Sequence, residues 1–394
     1  MCRVFEATAT STPRPEEADL SRRWRARRQL ARLWRSGVPL GFAIAAALSS
    51  STVSVAGESS GRNAASAGPL TARSLLLVKG SLVASIATDG RNLAWELAAS
   101  RAQPLSPLFE RKLRGGPVTR LAARTLPEFG LASTATHVVY AEQGKSGPEL
   151  VAIRHDRRHR IVLTRSLAAP IASRGNRVAW AEQSGSTQRV VVRHMTSGRV
   201  WIAAQMRRCD RTGCYRIDAV TLADGGVVFD RGAVGPQPSF IVRRRFHDRK
   251  PTIVKLPNDP QPDLARSSDG AYYYWLQHGW MRWDFGDARQ QATGRQGPHS
   301  WVLDNEQGRL LLQTGPQCKP RLVIQLPTGR ALVAAAPSST PASPKNFGPL
   351  CRAMNAFAWQ RPRLLIAWSL IPKISIESHT DVGVVSVVSE LSTP

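Results

Sequence analysis

The sequence predicts an all-β chain, a single β-propeller of four-stranded blades, with seven blades expected and six or eight as the alternatives. Three observations carry this. A motif of one polar turn followed by apolar residues recurs seven times. The runs between copies are short, rich in Val and Ile, and separated by Gly, Pro, Ser and Asp. After residue 57, no stretch keeps a 3.6-residue apolar period over the length of an ordinary helix.

The repeat is clearest in ATDGRNLAW (87–95) and ASRGNRVAW (172–180). ASTATHVVY (132–140), LADGGVVF (222–229) and SSDGAYYY (267–274) share its frame, NEQGRLLL (305–312) is degenerate, and AMNAFAW (353–359) recovers it. The large residues ending each copy are Trp95, Tyr140, Trp180, Phe229, Tyr274, Leu312 and Trp359, spaced 38 to 49 residues apart with a mean of 44. That is the length of a four-stranded blade. Predicted strands between these anchors include 138–141, 151–154, 161–164, 178–181, 190–193, 200–203, 227–229, 240–242 and 253–256.

Each part of the motif has a physical reason. Asp-Gly at 89–90, 224–225 and 269–270 tolerates the positive φ of a tight hairpin. The terminal large residue fills the gap between neighbouring sheets. A single blade cannot bury both faces, so a strand from one end of the chain must complete the sheet at the other. SLLLV (74–78) and VGVVSVV (382–388) are suited to this. A two-domain β-sandwich would use the same strand types without explaining the spacing.

The turns ATDGRNLAW, LADGGVVF and SSDGAYYYW resemble the S-P-D-G-x-x-(apolar)-A-(aromatic) repeat of TolB-like, WD40-like β-propellers. The proline of that repeat is missing throughout, and no N-terminal TolB-type domain is evident. The resemblance implies a propeller that binds partner proteins rather than catalyses. Some members are propellers attached to peptidases, but this chain has no room for a hydrolase domain.

Composition sets the class. The 394 residues are 42% hydrophobic, which excludes wholesale disorder, and no apolar run reaches the length of a membrane-spanning helix. Lys and Arg number 54 against 28 Asp and Glu, a net charge of +26. A surface this basic attracts polyanions, although an Arg-rich composition also arises from a GC-rich genome. Seven Arg and no acid lie in 21–36; the apolar run VPLGFAIAAAL (38–48) and Ser54-Val55-Ala56 follow. This is the order of a secretory signal. Arg22-Arg23 is a twin-arginine candidate, but Trp24-Arg25 follows where apolar residues belong. The expected organisation is a signal over 1–56, a disordered linker over 57–73 and the propeller over 74–394, secreted or held in the cell envelope.

Cys209, Cys214, Cys318 and Cys351 remain after residue 56, and an even number in an exported chain reads as disulfides. Cys209 with Cys214 is the local pair, leaving Cys318 with Cys351. Their spacing suits zinc poorly. No cofactor or metal is expected.

Gly57-Glu58-Ser59-Ser60-Gly61 matches G-x-S-x-G but has no strand before it or helix after it. His155 and His159 are expected in a solvated hairpin. The candidate ligand surface is aromatic and basic: Tyr272, Trp275, Trp280, Arg282 and Trp283, with Tyr273 and Tyr274 beside them, and Arg243 and Arg245 of the Arg243-Arg244-Arg245 run near Arg249 and Lys250. Aromatic faces stack on sugars, and the arginines suit an acidic polymer. The same residues would also serve as packing between blades and as a solvated outer strand. The expected molecule is a monomer that binds a protein partner or an envelope polymer, without specific nucleic-acid recognition. A hydrolase or lyase with its site at the channel mouth is the remaining alternative.

Overall fold

The computed structural model describes residues 72–79, 81–98, 106–156, 159–210, 213–223, 225–234, 238–256, 263–264, 271–276, 279–284, 290–292, 301–306, 309–314, 321–326, 331–334, 350–360, 363–372 and 385–392. The expected signal over 1–56, the G-x-S-x-G motif and Cys318 lie outside these residues. The described chain is all-β, a β-propeller of antiparallel sheets, six with four strands and one with six. Its helical content among the described residues is one 3-10 turn, Pro127–Phe129.

β1 (Ala72–Lys79) stands apart at the start. The first sheet is β2 (Val83–Thr88), β3 (Asn92–Leu97), β4 (Ser106–Lys112) and β5 (Thr119–Thr125). The second is β6 (Leu131–Ser133), β7 (His137–Gln143), β8 (Pro148–Arg154) and β9 (Arg160–Thr164). The third is β10 (Ala172–Arg174), β11 (Arg177–Ser184), β12 (Thr187–His194) and β13 (Val200–Arg207). The fourth holds β14 (Cys209–Asp210), β15 (Gly213–Arg216), β16 (Val220–Ala223), β17 (Gly226–Ala233), β18 (Phe240–Arg245) and β19 (Thr252–Lys255). The fifth is β20 (Asp263–Leu264), β21 (Ala271–Leu276), β22 (Gly279–Asp284) and β23 (Gln290–Ala292). The sixth is β24 (Trp301–Glu306), β25 (Arg309–Thr314), β26 (Arg321–Gln325) and β27 (Ala331–Ala334). The terminal sheet has β28 (Leu350–Gln360), β29 (Arg363–Pro372) and β30 (Val385–Ser392). Its fourth, outermost strand is β1, antiparallel to β30 from Ala72↔Leu391 to Lys79↔Val385. The 74–78 run thus completes the sheet at the other end of the chain, as the sequence predicts.

The first strands of the terminal, first, second and third sheets lie side by side as the inner strands, with β16 next in line. β28 packs beside β2, β2 beside β6, β6 beside β10, and β10 beside β16. Cores lie between consecutive sheets. Leu93, Trp95 and Ile86 meet Leu365 and Val388 of the terminal sheet, while Ala94 and Leu108 meet Tyr140 and Val151 of the second. Trp180 and Val178 pack on Val139 and Leu150, and Ala179 and Val192 pack on Phe229 and Val227. Leu311 and Leu322 pack on Ile366 and Trp368. In these five contacts one sheet covers the apolar face of its neighbour, which neither could bury alone.

Six of the anchors lie on the strand that follows and pairs with the strand before it, Trp180 on β11 among them. Trp95 pairs with Ile86, Tyr140 with Leu131, Phe229 with Val220, Tyr274 with Leu264, and Leu312 with Val302. The last anchor needs correction. AMNAFAW lies on inner strand β28, and the residue in the anchor position is Trp368 on β29, paired with Met354 and 4% exposed. The aromatic ending of β28 imitates the motif, and the chain turns after it rather than before it. Asp89 and Gly90 form the expected tight turn: Gly90 has φ 83° and the Asp89 carboxylate accepts the Arg91 and Asn92 amides.

The fourth sheet departs from four strands because its inner strand is broken. β15 and β16 both pair with β17, at Tyr215↔Ala233 and Val220↔Phe229. Asp230, buried, caps the break by accepting the Asp218 and Ala219 amides at 2.8 Å each. Buried Gln188 of the third sheet accepts the Ile217 amide at 3.1 Å. The extra strand β14 is the near arm of a small hairpin, joined to β15 by the Cys209–Cys214 disulfide.

Candidate functional site

The aromatic positions Tyr272, Trp275, Trp280, Arg282 and Trp283 form one hairpin, β21 with β22. Register opposes Tyr272 to Trp283, Tyr273 to Arg282, and Trp275 to Trp280. Arg243 and Arg245, both on β18, differ in exposure. Arg243 is 8% exposed, and burial followed by the Arg245 charge holds its guanidinium below the usual arginine range. Arg245 is exposed and lies 3.8 Å from Asp248. Only Arg245 of the two stands out in solvent. Cys351 lies on β28, and its expected partner Cys318 is outside the described residues.

His155 corrects another expectation. It follows β8 in a turn but is not a solvated hairpin residue, because carboxylates of the first sheet enclose it. Its Nδ1 donates to Glu110 Oε1, its Nε2 donates to Thr134 O at 2.8 Å, and Asp89 Oδ2 lies 3.4 Å from Nε2. Asp89 and Glu110 are almost fully buried, with side chains 3% and 6% exposed. Burial pulls the imidazole pKa down, and the hydrogen bonds to Glu110 and Thr134 with both carboxylate charges outweigh it, so the net shift is upward. With Glu110 of the first sheet on one nitrogen and Thr134 O of the second on the other, the ring ties the two sheets together. His159 is exposed.

At the opposite end of β3, Glu96 is fully buried beside Ser85 of β2, its cross-strand partner. Burial pushes its carboxyl up to about 8, and the hydroxyls of Thr125 and Ser85 offset only part of this. Glu96 is therefore a neutral acid at pH 7.

A cavity of about 530 Å³ opens beside the Asp89 turn. It is lined by 90–92, by 112–114 and by Arg363 of the terminal sheet. Four of these residues are cationic (Arg91, Lys112, Arg114, Arg363) and none is acidic. Sequence reasoning missed it, because the lining comes from turns 20 residues apart and from a strand far along the chain. The one available signal was the basic pair Lys112 and Arg114 before Gly115-Gly116.

Among the described residues, no three or more His, Cys, Asp or Glu are grouped to hold a metal ion, and no helix is long and apolar enough to cross a membrane. No family model matches the chain, and no curated protein does. Among solved structures it is similar to a prolyl endopeptidase at 11% identity and a TM-score of 0.51, over 75% of this chain and 47% of that one. The chain thus spans about half the length of that peptidase. The β-propeller domain of the trilobed protease from Pyrococcus furiosus is similar at 10% identity and a TM-score of 0.49, over 73% of this chain and 91% of that one. TolB from Acinetobacter baumannii is similar at 13% identity and a TM-score of 0.36, over 78% and 66%. At such identities the likeness to the peptidase concerns the fold alone, and that fold is the β-propeller.

Proposed function

We propose that the chain is an exported, non-catalytic β-propeller of seven blades that acts as a binding module in the cell envelope or outside the cell. The observation that carries this reading is the Cys209–Cys214 disulfide set into a propeller sheet. Oxidising compartments keep such bonds, and the signal-like order of 21–56 supplies the route there. Propellers present rigid turns at both ends of their sheets, a scaffold for holding a partner protein or polymer. The test is intact-mass spectrometry of the secreted protein together with cross-linking in the envelope fraction. A mature start near Gly57 and a reproducible cross-linked partner are expected. A full-length, fully reduced protein retained in the cytosol would end the proposal.

A second reading, glycan or acidic-polymer binding, is favoured by the β21–β22 register. Trp275 opposes Trp280 in register, and Arg282 follows on the strand of Trp280, the composition of a stacking platform beside a cation. Retention on purified cell-wall polymer should be lost in Trp280→Ala and Arg282→Ala, and full retention in both variants would remove this reading. A lyase or hydrolase with its site at the channel mouth is the third reading, tested by screening sugars, esters and peptides for turnover.

A further inference from the structure

The basic cavity belongs to a different part of the molecule from the aromatic hairpin, and its architecture is fixed by the main chain. The Leu113 amide donates to Arg91 O at 2.8 Å and the Gly115 amide to Lys112 O at 3.0 Å, locking the two turns together. Asn92 opposes Lys112 across β3 and β4. Arg363 reaches in from β29, donates to Gly90 O at 3.3 Å and lies 3.3 Å from Glu390 Oε1. The nearby carboxylates point elsewhere. Asp89 is consumed by the Arg91 and Asn92 amides, by Asn92 Nδ2 at 2.9 Å and by His155; Glu110 is held by His155; Glu390 belongs to Arg363. Among the described residues, the side chains of Arg91, Lys112 and Arg114 make no ion pair, and all three are exposed. The wall between them is Leu113, 4% exposed.

We infer that this cavity binds a phosphate-bearing anion, either a small phosphate ester or one unit of a phosphodiester polymer. Three cations without an ion-pair partner around one half-open space attract a compact anion; a phosphate monoester brings charge near −2 and three acceptor oxygens to share among them, and a phosphodiester unit charge −1 and two. The volume falls within the range of small-ligand sites and leaves room for the group that the phosphate esterifies, against Leu113. Because Arg363 lies on the terminal sheet and the other cations on the first, an occupied site ties the two sheets together.

The inference goes beyond the binding-module reading and is tested separately from it. A short poly(glycerol phosphate) oligomer, glycerol 3-phosphate and an oligogalacturonate are titrated into the purified secreted protein at low salt, with calorimetry and thermal melting as readouts. Saturable binding of both phosphates and a higher melting temperature are expected, with little response to the carboxylate polymer. Tighter binding of the poly(glycerol phosphate) oligomer points to a polymer, and tighter binding of glycerol 3-phosphate to a small ester. The double variant Lys112→Gln/Arg114→Gln should weaken phosphate binding by about tenfold or more, because charge-assisted contacts are lost. The double variant Arg199→Gln/Lys255→Gln removes the same charge elsewhere on the exposed surface and should leave it unchanged. Equal weakening in both variants, or preference for the carboxylate polymer, overturns the inference. Capture of an envelope partner by Lys112→Gln/Arg114→Gln would leave the broader binding-module reading standing even then.

Discussion

The hydroxyl of Ser386 accepts the Val83 amide at 3.2 Å, although 303 residues separate the two. The same hydroxyl contacts Ser81 O at 3.0 Å and Ser369 Oγ at 2.7 Å, and both serines of the terminal sheet are completely buried. This knot, with the Arg111 side chain donating to Leu75 O, fastens the terminal sheet to the first. Apolar packing supplies the bulk of that interface, and the serine hydroxyls fix its register.

Ser386→Ala should therefore destabilise the protein by about 1–3 kcal/mol, the usual cost of leaving buried polar partners unpaired. Urea unfolding of the variant beside wild type measures it. An unchanged midpoint would show that the knot is dispensable.

Trp368→Ala should cost about 3–5 kcal/mol, as for a large buried aromatic. Trp359→Ala should cost clearly less, since Trp359 is only partly buried against the same cluster. The reverse order in thermal melts would return the anchor to β28.

Glu96→Gln should stabilise the fold at neutral pH. The folded carboxyl titrates near 8 and the unfolded one near 4.5, so the unfolded state ionises first and stability falls as pH rises from 4.5 through 8. At pH 7 the gain should be roughly 3 kcal/mol, and below pH 4.5 it should vanish. Unfolding free energies of both proteins between pH 4 and 9 decide this.

His155 acts with the same sign in a higher window. Its folded pKa lies above the ordinary 6.5, so its contribution is complete below 6.5 and is lost as pH rises through the folded value. His155→Gln, measured in the Glu96→Gln background, should flatten the remaining slope on the alkaline side.

Reducing Cys209–Cys214 should lower stability by about 2 kcal/mol, the chain-entropy value for so short a loop. Cys209→Ser/Cys214→Ser should melt like the reduced protein, and the oxidised wild type above both.

The repeat was readable because its parts are local. In ATDGRNLAW the turn and the buried Trp95 sit within nine residues, and hairpin chemistry with period-two burial acts over that span. Trp368 escaped because its hairpin turn has no Asp-Gly while β28 ends on its own aromatic. The six-stranded sheet was hidden for a different reason: the break at 217–219 is held by Asp230 and Gln188, side chains 11 and 29 residues away. Both the charged enclosure of His155 and the basic cavity are made across sheet boundaries, where neighbours in space are strangers in sequence.

Placing β1 on β30 sets a timetable for synthesis. Ala72 leaves the ribosome more than three hundred residues before its partner Leu391. At 5–20 residues per second that is roughly 15–60 s. Throughout that interval β1 is a bare strand with Leu77 and its hydrogen-bonding edge open, the kind of edge that templates pairing between chains. The last eight-residue strand to be made is thus the one that retires the first, and nascent chains crowded on one message are exposed to swapping until it arrives.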